Sequence, residues 1–76
     1  MTSFADFEKL IERTLHTNHL RYGQIVMNIL HDVWPEKYKQ LLGTNMDCFY
    51  YNDQDTSKVV AYLEREWKDQ YHEQHK

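Results

Sequence analysis

Residues 20–33, LRYGQIVMNILHDV, decide the fold. At about 100° per residue, Tyr22, Ile25, Val26, Ile29, Leu30 and Val33 fall on one side and Arg21, Gln24, Asn28, His31 and Asp32 on the other, the pattern of a helix with an apolar and a polar face. The apolar face is wide enough to be the central wall of a small core. The polar face presents hydrogen-bonding groups, and only that face can carry specificity. Periodicity by itself names a helical domain and no activity.

Outward from this helix, the rest of the chain reads as further helices. Upstream, Ser3 followed by Asp6 is a short form of the capping box, and Phe4, Phe7, Leu10, Ile11 and Leu15 repeat at helical spacing, predicting a first helix that ends near His16. Asn18, in the apolar-free segment Thr17-Asn18-His19, is expected to end that helix in left-handed geometry and to cap the next. Downstream, Trp34-Pro35 closes the central helix, and Pro35 opens a short third one, PEKYKQLL, capped by Gly43. A last helix, capped by Asp55 or Thr56, places Val59, Val60, Leu63, Trp67 and Tyr71 on one face and frays in QYHEQHK.

Between the third and last helices lies Thr44–Asp55, TNMDCFYYNDQD, too aromatic for a plain linker. Met46, Phe49, Tyr50 and Tyr51 would expose much apolar surface unless part of the loop is pressed into the bundle, so Phe49 and one of the two tyrosines are expected to be anchors. The expected fold is therefore all-α: one domain over residues 1–76, a compact bundle of three longer helices and one short helix, with an ordered aromatic loop before the last.

Composition agrees. A chain of 76 residues is near the lower size at which one core offsets chain entropy, so most large apolar residues should be buried. Two glycines and one proline against 41% hydrophobic residues argue for regular structure with short connections. The net charge of −3 is spread evenly, about −1 over each of residues 1–19, 20–54 and 55–76. It offers neither the basic stripe that phosphate backbones require nor a strongly acidic pole. A single cysteine, Cys48, precludes an internal disulfide and suits a reducing compartment. No apolar run approaches 18 residues, and MTSFADFEKL is acidic where a secretion signal would be basic and then apolar. The expected location is cytoplasmic, with no membrane contact.

The motif Arg21-Tyr22-Gly23-Gln24, followed by Asn28, then Gly43-Thr44 and the run Asp47-Cys48-Phe49-Tyr50, resembles a loose group of small, uncharacterised phage and prophage proteins. That group shows an R-x-G-Q helix, a later asparagine, and a G-T-x-x-D-P-F-Y segment before one last helix. The likeness covers somewhat under half the chain, and Cys48 stands where the group has proline. It implies a phage or mobile-element origin in a bacterial host and a helical fold of four elements. It transfers no catalytic residue.

The two halves of that motif suggest a latch. Arg21, Gln24 and Asn28 follow one another by three and four residues, so a loop crossing that face could present Asp47 and several carbonyls to three donors at once. The plainer alternative is a solvated polar face. Gly23, at the margin of the apolar face, would let a neighbouring helix or the loop approach closely, or is a tolerated weak spot costing about 1 kcal/mol.

Four chemical readings compete with plainer ones. His16 and His19, and His72 and His75, are spaced as paired zinc ligands on a helix would be, but neither pair has enough partners, and surface histidines account for both. Asp53, Asp55, Ser57 and Glu64 match positions 1, 3, 5 and 12 of a calcium loop, but Lys58 holds the place that requires glycine. Cys48 lacks any signature of an orienting histidine and reads as a small buried group, so no catalytic residue and no cofactor are assigned. Lys37 and Lys39 on the short helix could face nucleic acid, but that helix lacks the arginines and amides that read base edges, and Tyr38, Leu41 and Leu42 suit the core.

What remains is a non-enzymatic protein-interaction module that binds a host or phage protein, with a small nucleic-acid-associated module as the alternative. Eleven aromatic residues exceed what a two-layer core encloses. Phe4, Phe7, Tyr22, Trp34, Tyr38, Phe49 and Trp67 lie on apolar faces or anchor points. Tyr50 and Tyr51, adjacent in sequence, cannot both point inward. The expected contact surface is therefore made by the loop from Met46 to Asp53 and the near side of the last helix, with one of Tyr50 or Tyr51 at its centre and Tyr62 at its rim. The plainer reading is that these rings lie on the bundle with wet hydroxyls.

Overall fold

A computed structural model describes residues 2–74, with side chains through Asp69. Four helices follow one another: α1 Phe4–Thr17, α2 Tyr22–Val33, α3 Pro35–Leu41 and α4 Asp53–Gln74. No strand occurs among the described residues. The all-α bundle of three longer helices and one short helix, with an ordered loop before the last, is what the chain builds.

α2 is the central wall. Its Ile25, Val26 and Leu30 are fully buried and Met27 nearly so, while Tyr22, Ile29 and Val33 pack at the margin, and the helix contacts α1, α3 and α4. Met27 widens the apolar arc beyond the face read from sequence. Against α2, α1 contributes Phe7 and Ile11, and α4 contributes Val59, Leu63 and Trp67. Tyr71 lies outside the described side chains. Trp67 also gathers an aromatic cluster, its ring 4.8 Å from both Phe7 and Trp34 and 5.6 Å from Phe4, and its indole N–H donates to the Thr2 carbonyl at 2.8 Å. The start of the chain is thus fastened to the last helix. Pairs of this kind contribute about 0.5–1.5 kcal/mol each beyond the area they bury.

Helix ends follow capping chemistry, with four departures from the sequence expectation. Ser3 caps α1 as expected, its hydroxyl accepting the Asp6 N–H at 3.1 Å. Asn18 ends α1 by donating its N–H to the Thr14 carbonyl, but with φ −127° it is extended rather than left-handed, and it does not cap α2. That place belongs to Arg21, whose N–H is accepted by Gln24 Oε1 at 3.1 Å, one half of a capping box. Leu20 is left outside the helix, 44% exposed. α4 likewise starts earlier than expected. Asn52, not Asp55 or Thr56, caps it by accepting the Asp55 N–H at 2.7 Å, which places Thr56 inside the helix with its side chain fully buried.

The short helix holds the fourth departure. Trp34 closes α2 and leads into Pro35, and Leu42 then leaves the helix at 53% exposure instead of joining the core. Gly43, φ +77°, is the one left-handed residue among those described, a conformation that glycine adopts without steric cost. Lys37, weighed from sequence as a residue that could face nucleic acid, is buried. Its Nζ lies 2.7 Å from Glu66 Oε1 on α4 and faces the rings of Trp34 at 5.1 Å and Tyr62 at 5.9 Å. α4 continues to Gln74, and His75 and Lys76 lie outside the described residues. Among the described residues no helix is long and apolar enough to cross a membrane.

Candidate functional site

The loop joining α3 to α4 is held by its own chain. Thr44 starts it, its hydroxyl donating to the Leu41 carbonyl at 2.6 Å and accepting the Met46 N–H at 3.2 Å. Asp47 spans the turn with both carboxylate oxygens, Oδ2 accepting the Gly43 N–H at 3.0 Å and Oδ1 the Phe49 N–H at 3.2 Å. The Tyr51 hydroxyl reaches back to donate to the Asn45 carbonyl at 2.6 Å, and the Tyr51 N–H donates to the Cys48 carbonyl at 3.0 Å. The aromatic loop is ordered because its polar groups are satisfied within it.

The latch expected from Arg21, Gln24, Asn28 and Asp47 does not form. Asp47 serves its own loop, Gln24 serves the start of α2, and Asn28 and Arg21 are exposed. Glycine does the fastening instead. A Cβ on Gly23 would sit 1.9 Å from the Cys48 carbonyl oxygen and 3.2 Å from Thr56 Oγ1, so the loop crosses α2 where only a hydrogen atom fits. Cys48 is fully buried there and its thiol donates to the Gly23 carbonyl at 3.8 Å. Burial pushes that thiol up to about 11, which keeps it protonated and unreactive at neutral pH. The Thr56 hydroxyl is buried beside it with no partner among the described residues.

With Cys48 and Phe49 turned inward, Tyr50 is forced out. It is 80% exposed, its ring edge-on to Phe49 at 4.9 Å, while Tyr51 packs on the core. The expectation that one of these two points outward holds, and it is Tyr50. Around it opens a shallow cavity of about 520 Å³ lined by Arg21, Tyr50, Tyr51, Asn52 and Asp53. Tyr51 also lines a second hollow, about 290 Å³, with Asn45, Met46, Asp55, Lys58 and Val59. Arg21 and Asp53, brought together from the starts of α2 and α4, both line the first hollow and form no salt bridge with one another. The signal that marks this face in the sequence is the paired tyrosine. Nothing in the sequence marks Arg21 as part of its wall, since the same spacing serves a side chain turned toward the loop.

Tyr62 belongs elsewhere. It is half-buried, its hydroxyl donates to Glu66 Oε1 at 3.2 Å and its ring faces Lys37, so it is part of the α3–α4 contact and does not line the Tyr50 cavity. The metal readings change too. α1 ends at Thr17, so His16 and His19 do not share a helix, and the His72 and His75 side chains lie outside those described. Among the described residues no group of three or more His, Cys, Asp or Glu side chains is placed to hold a metal ion. Asp53–Glu64, weighed as a calcium loop, is helical throughout. What the Tyr50 face offers is an aromatic ring, a guanidinium, an amide and a carboxylate in an open hollow: groups for recognition by stacking, hydrogen bonding and charge. No family model matches the chain, and neither a curated protein nor a solved structure matches it.

Proposed function

We propose that this chain is a non-enzymatic protein-interaction module of phage origin that binds a host protein and modulates it through the Tyr50 face. The observation that carries the reading is Tyr50 itself. It is 80% exposed while the other aromatic residues with described side chains are buried or packed against the core, and an exposed tyrosine is among the side chains that most often anchor a protein interface. Its surroundings suit a protein surface. Each of the two hollows carries one charge of either sign, Arg21 and Asp53 in one and Lys58 and Asp55 in the other, and the loop is already ordered, so little conformational entropy is lost on docking.

Phage origin rests on the resemblance of the R-x-G-Q and D-x-F-Y segments. The nucleic-acid alternative is weakened by Lys37, which is spent on Glu66. Retention of proteins from a bacterial lysate by the wild-type chain and by Tyr50→Ala tests the reading. The expected result is loss of the specifically retained partner with an unchanged helical circular dichroism spectrum. A folded variant that keeps the same partner at the same affinity places the contact surface elsewhere.

A further inference from the structure

The hollow beside Tyr50 and the ring that stands out next to it are two halves of one fit. We propose that the Tyr50 face is occupied by a second copy of this chain, the two copies related by a two-fold axis, each Tyr50 entering the other's cavity; this rests on the reading of that face as an interaction surface. A two-fold interface brings the same patch of both copies together, so residue i of one meets residue j of the other and the reverse. A patch can do this only if it carries both members of each complementary pair.

This one does, in shape and in charge. Tyr50 is a knob, 80% exposed, and the open hollow of about 520 Å³ that it lines with Arg21, Tyr51, Asn52 and Asp53 has room for one more aromatic ring. Arg21 comes to the wall from the cap of α2 and Asp53 from the first turn of α4, one cation and one anion that form no salt bridge with each other. Facing a copy of itself, the patch sets Arg21 against Asp53 twice. Leu20, 44% exposed and next in sequence to Arg21, extends the same end with apolar surface. A chain of 76 residues, whose own core is small, gains from burying such a patch. A host protein would then have to displace the second copy.

Charge reversal tests this with the full chain. Sedimentation equilibrium of the wild type is expected to show a concentration-dependent dimer. Arg21→Asp alone sets two acidic residues against each other, and Asp53→Arg alone two basic ones, so each self-associates at least roughly tenfold more weakly. An equimolar mixture of the two variants, or the double variant Arg21→Asp/Asp53→Arg, restores the attraction and the dimer. Tyr50→Ala, at an exposed position that the fold does not need, is expected to be monomeric and serves if either charge variant proves unstable. A wild type that stays monomeric into the millimolar range overturns the proposal, as does a dimer that both charge reversals leave intact. A monomeric wild type whose captured partner is still lost on Tyr50→Ala removes the dimer and leaves the interaction reading standing, so the two failures are separable.

Discussion

At the scale of single residues, the contact that fixes the loop is an absence of atoms. Gly23→Ala should raise helix propensity by about 1 kcal/mol, and on an open helix face it would stabilise the protein. Here the added Cβ meets the Cys48 carbonyl at 1.9 Å, and that oxygen is backbone that cannot swing aside. We expect a net loss of about 1–3 kcal/mol in urea denaturation, with faster amide exchange at Phe49 and Tyr51; a stabilised variant would show that the loop does not cross there. The polar residues make the converse case. Arg21→Ala should change stability by no more than about 0.5 kcal/mol, because the guanidinium has no partner among the described residues. Asp47→Ala should cost about 1–3 kcal/mol, because it strips the acceptor from the Gly43 and Phe49 N–H groups. Equal effects from the two would restore the latch. Sequence spacing shows that Arg21, Gln24 and Asn28 share a face, but not whether the loop arrives there by side chain or by backbone. Gly23 was the legible sign of close approach.

Among elements, the helices were readable and their junctions less so. Apolar residues at helical spacing, Ser3 before α1, Pro35 at the start of α3 and Gly43 after it place the four helices in order. The boundaries that moved did so where a polar side chain caps locally: Gln24 reaches back to Arg21, and Asn52 reaches forward to Asp55. Lys37 was illegible for another reason. Whether a lysine is buried depends on an acid arriving from another helix, and Glu66 lies 29 residues away in sequence. The pair makes α3 and α4 interdependent, and its two halves are unequal. Lys37 is 8% exposed at its side chain whereas Glu66 is 29% exposed. Glu66→Gln removes the countercharge of a buried ammonium while leaving it an acceptor and should cost about 1–3 kcal/mol, while Lys37→Met leaves a carboxylate that water can reach and should be close to neutral. The hydrogen bond from Lys37 holds the Glu66 carboxyl below its usual range, so its contribution is complete above the ordinary carboxylate pKa and is lost as pH falls through the lower folded value. The stability gap between wild type and Glu66→Gln should therefore be constant at neutral pH and shrink on acidification below about pH 4.5. A gap that stays constant under acid would mean that the charge on Glu66 is not what holds Lys37.

For the molecule as a whole, what the sequence could not show is how a loop with four large apolar side chains divides them between core and water. Met46, Phe49 and Tyr51 go in because Cys48, beneath them, is pinned against Gly23. Tyr50 is the remainder, and no local pattern marks which of two adjacent tyrosines it will be. Charge distribution is more legible, because it survives folding except where cations are withdrawn. The chain has nine lysines and arginines against twelve acids, and among the described residues the fold takes one cation, Lys37, into the interior. Lys58 and Lys68 lie beside Asp55 and Glu64 on their own helix, at 3.7 and 3.9 Å. Binding to a phosphate backbone draws its strength from cations lined up along one face, each releasing counterions, so that affinity falls steeply with salt. The cations here are few and interleaved with acids, and Arg21 stands beside Asp53. In a titration against duplex DNA and structured RNA we therefore expect no retention even at about 50 mM salt, where nonspecific electrostatic binding is strong. Retention there with a steep salt slope would identify a basic face that neither the sequence nor the fold displays, and would turn the functional reading from a protein partner to a nucleic acid.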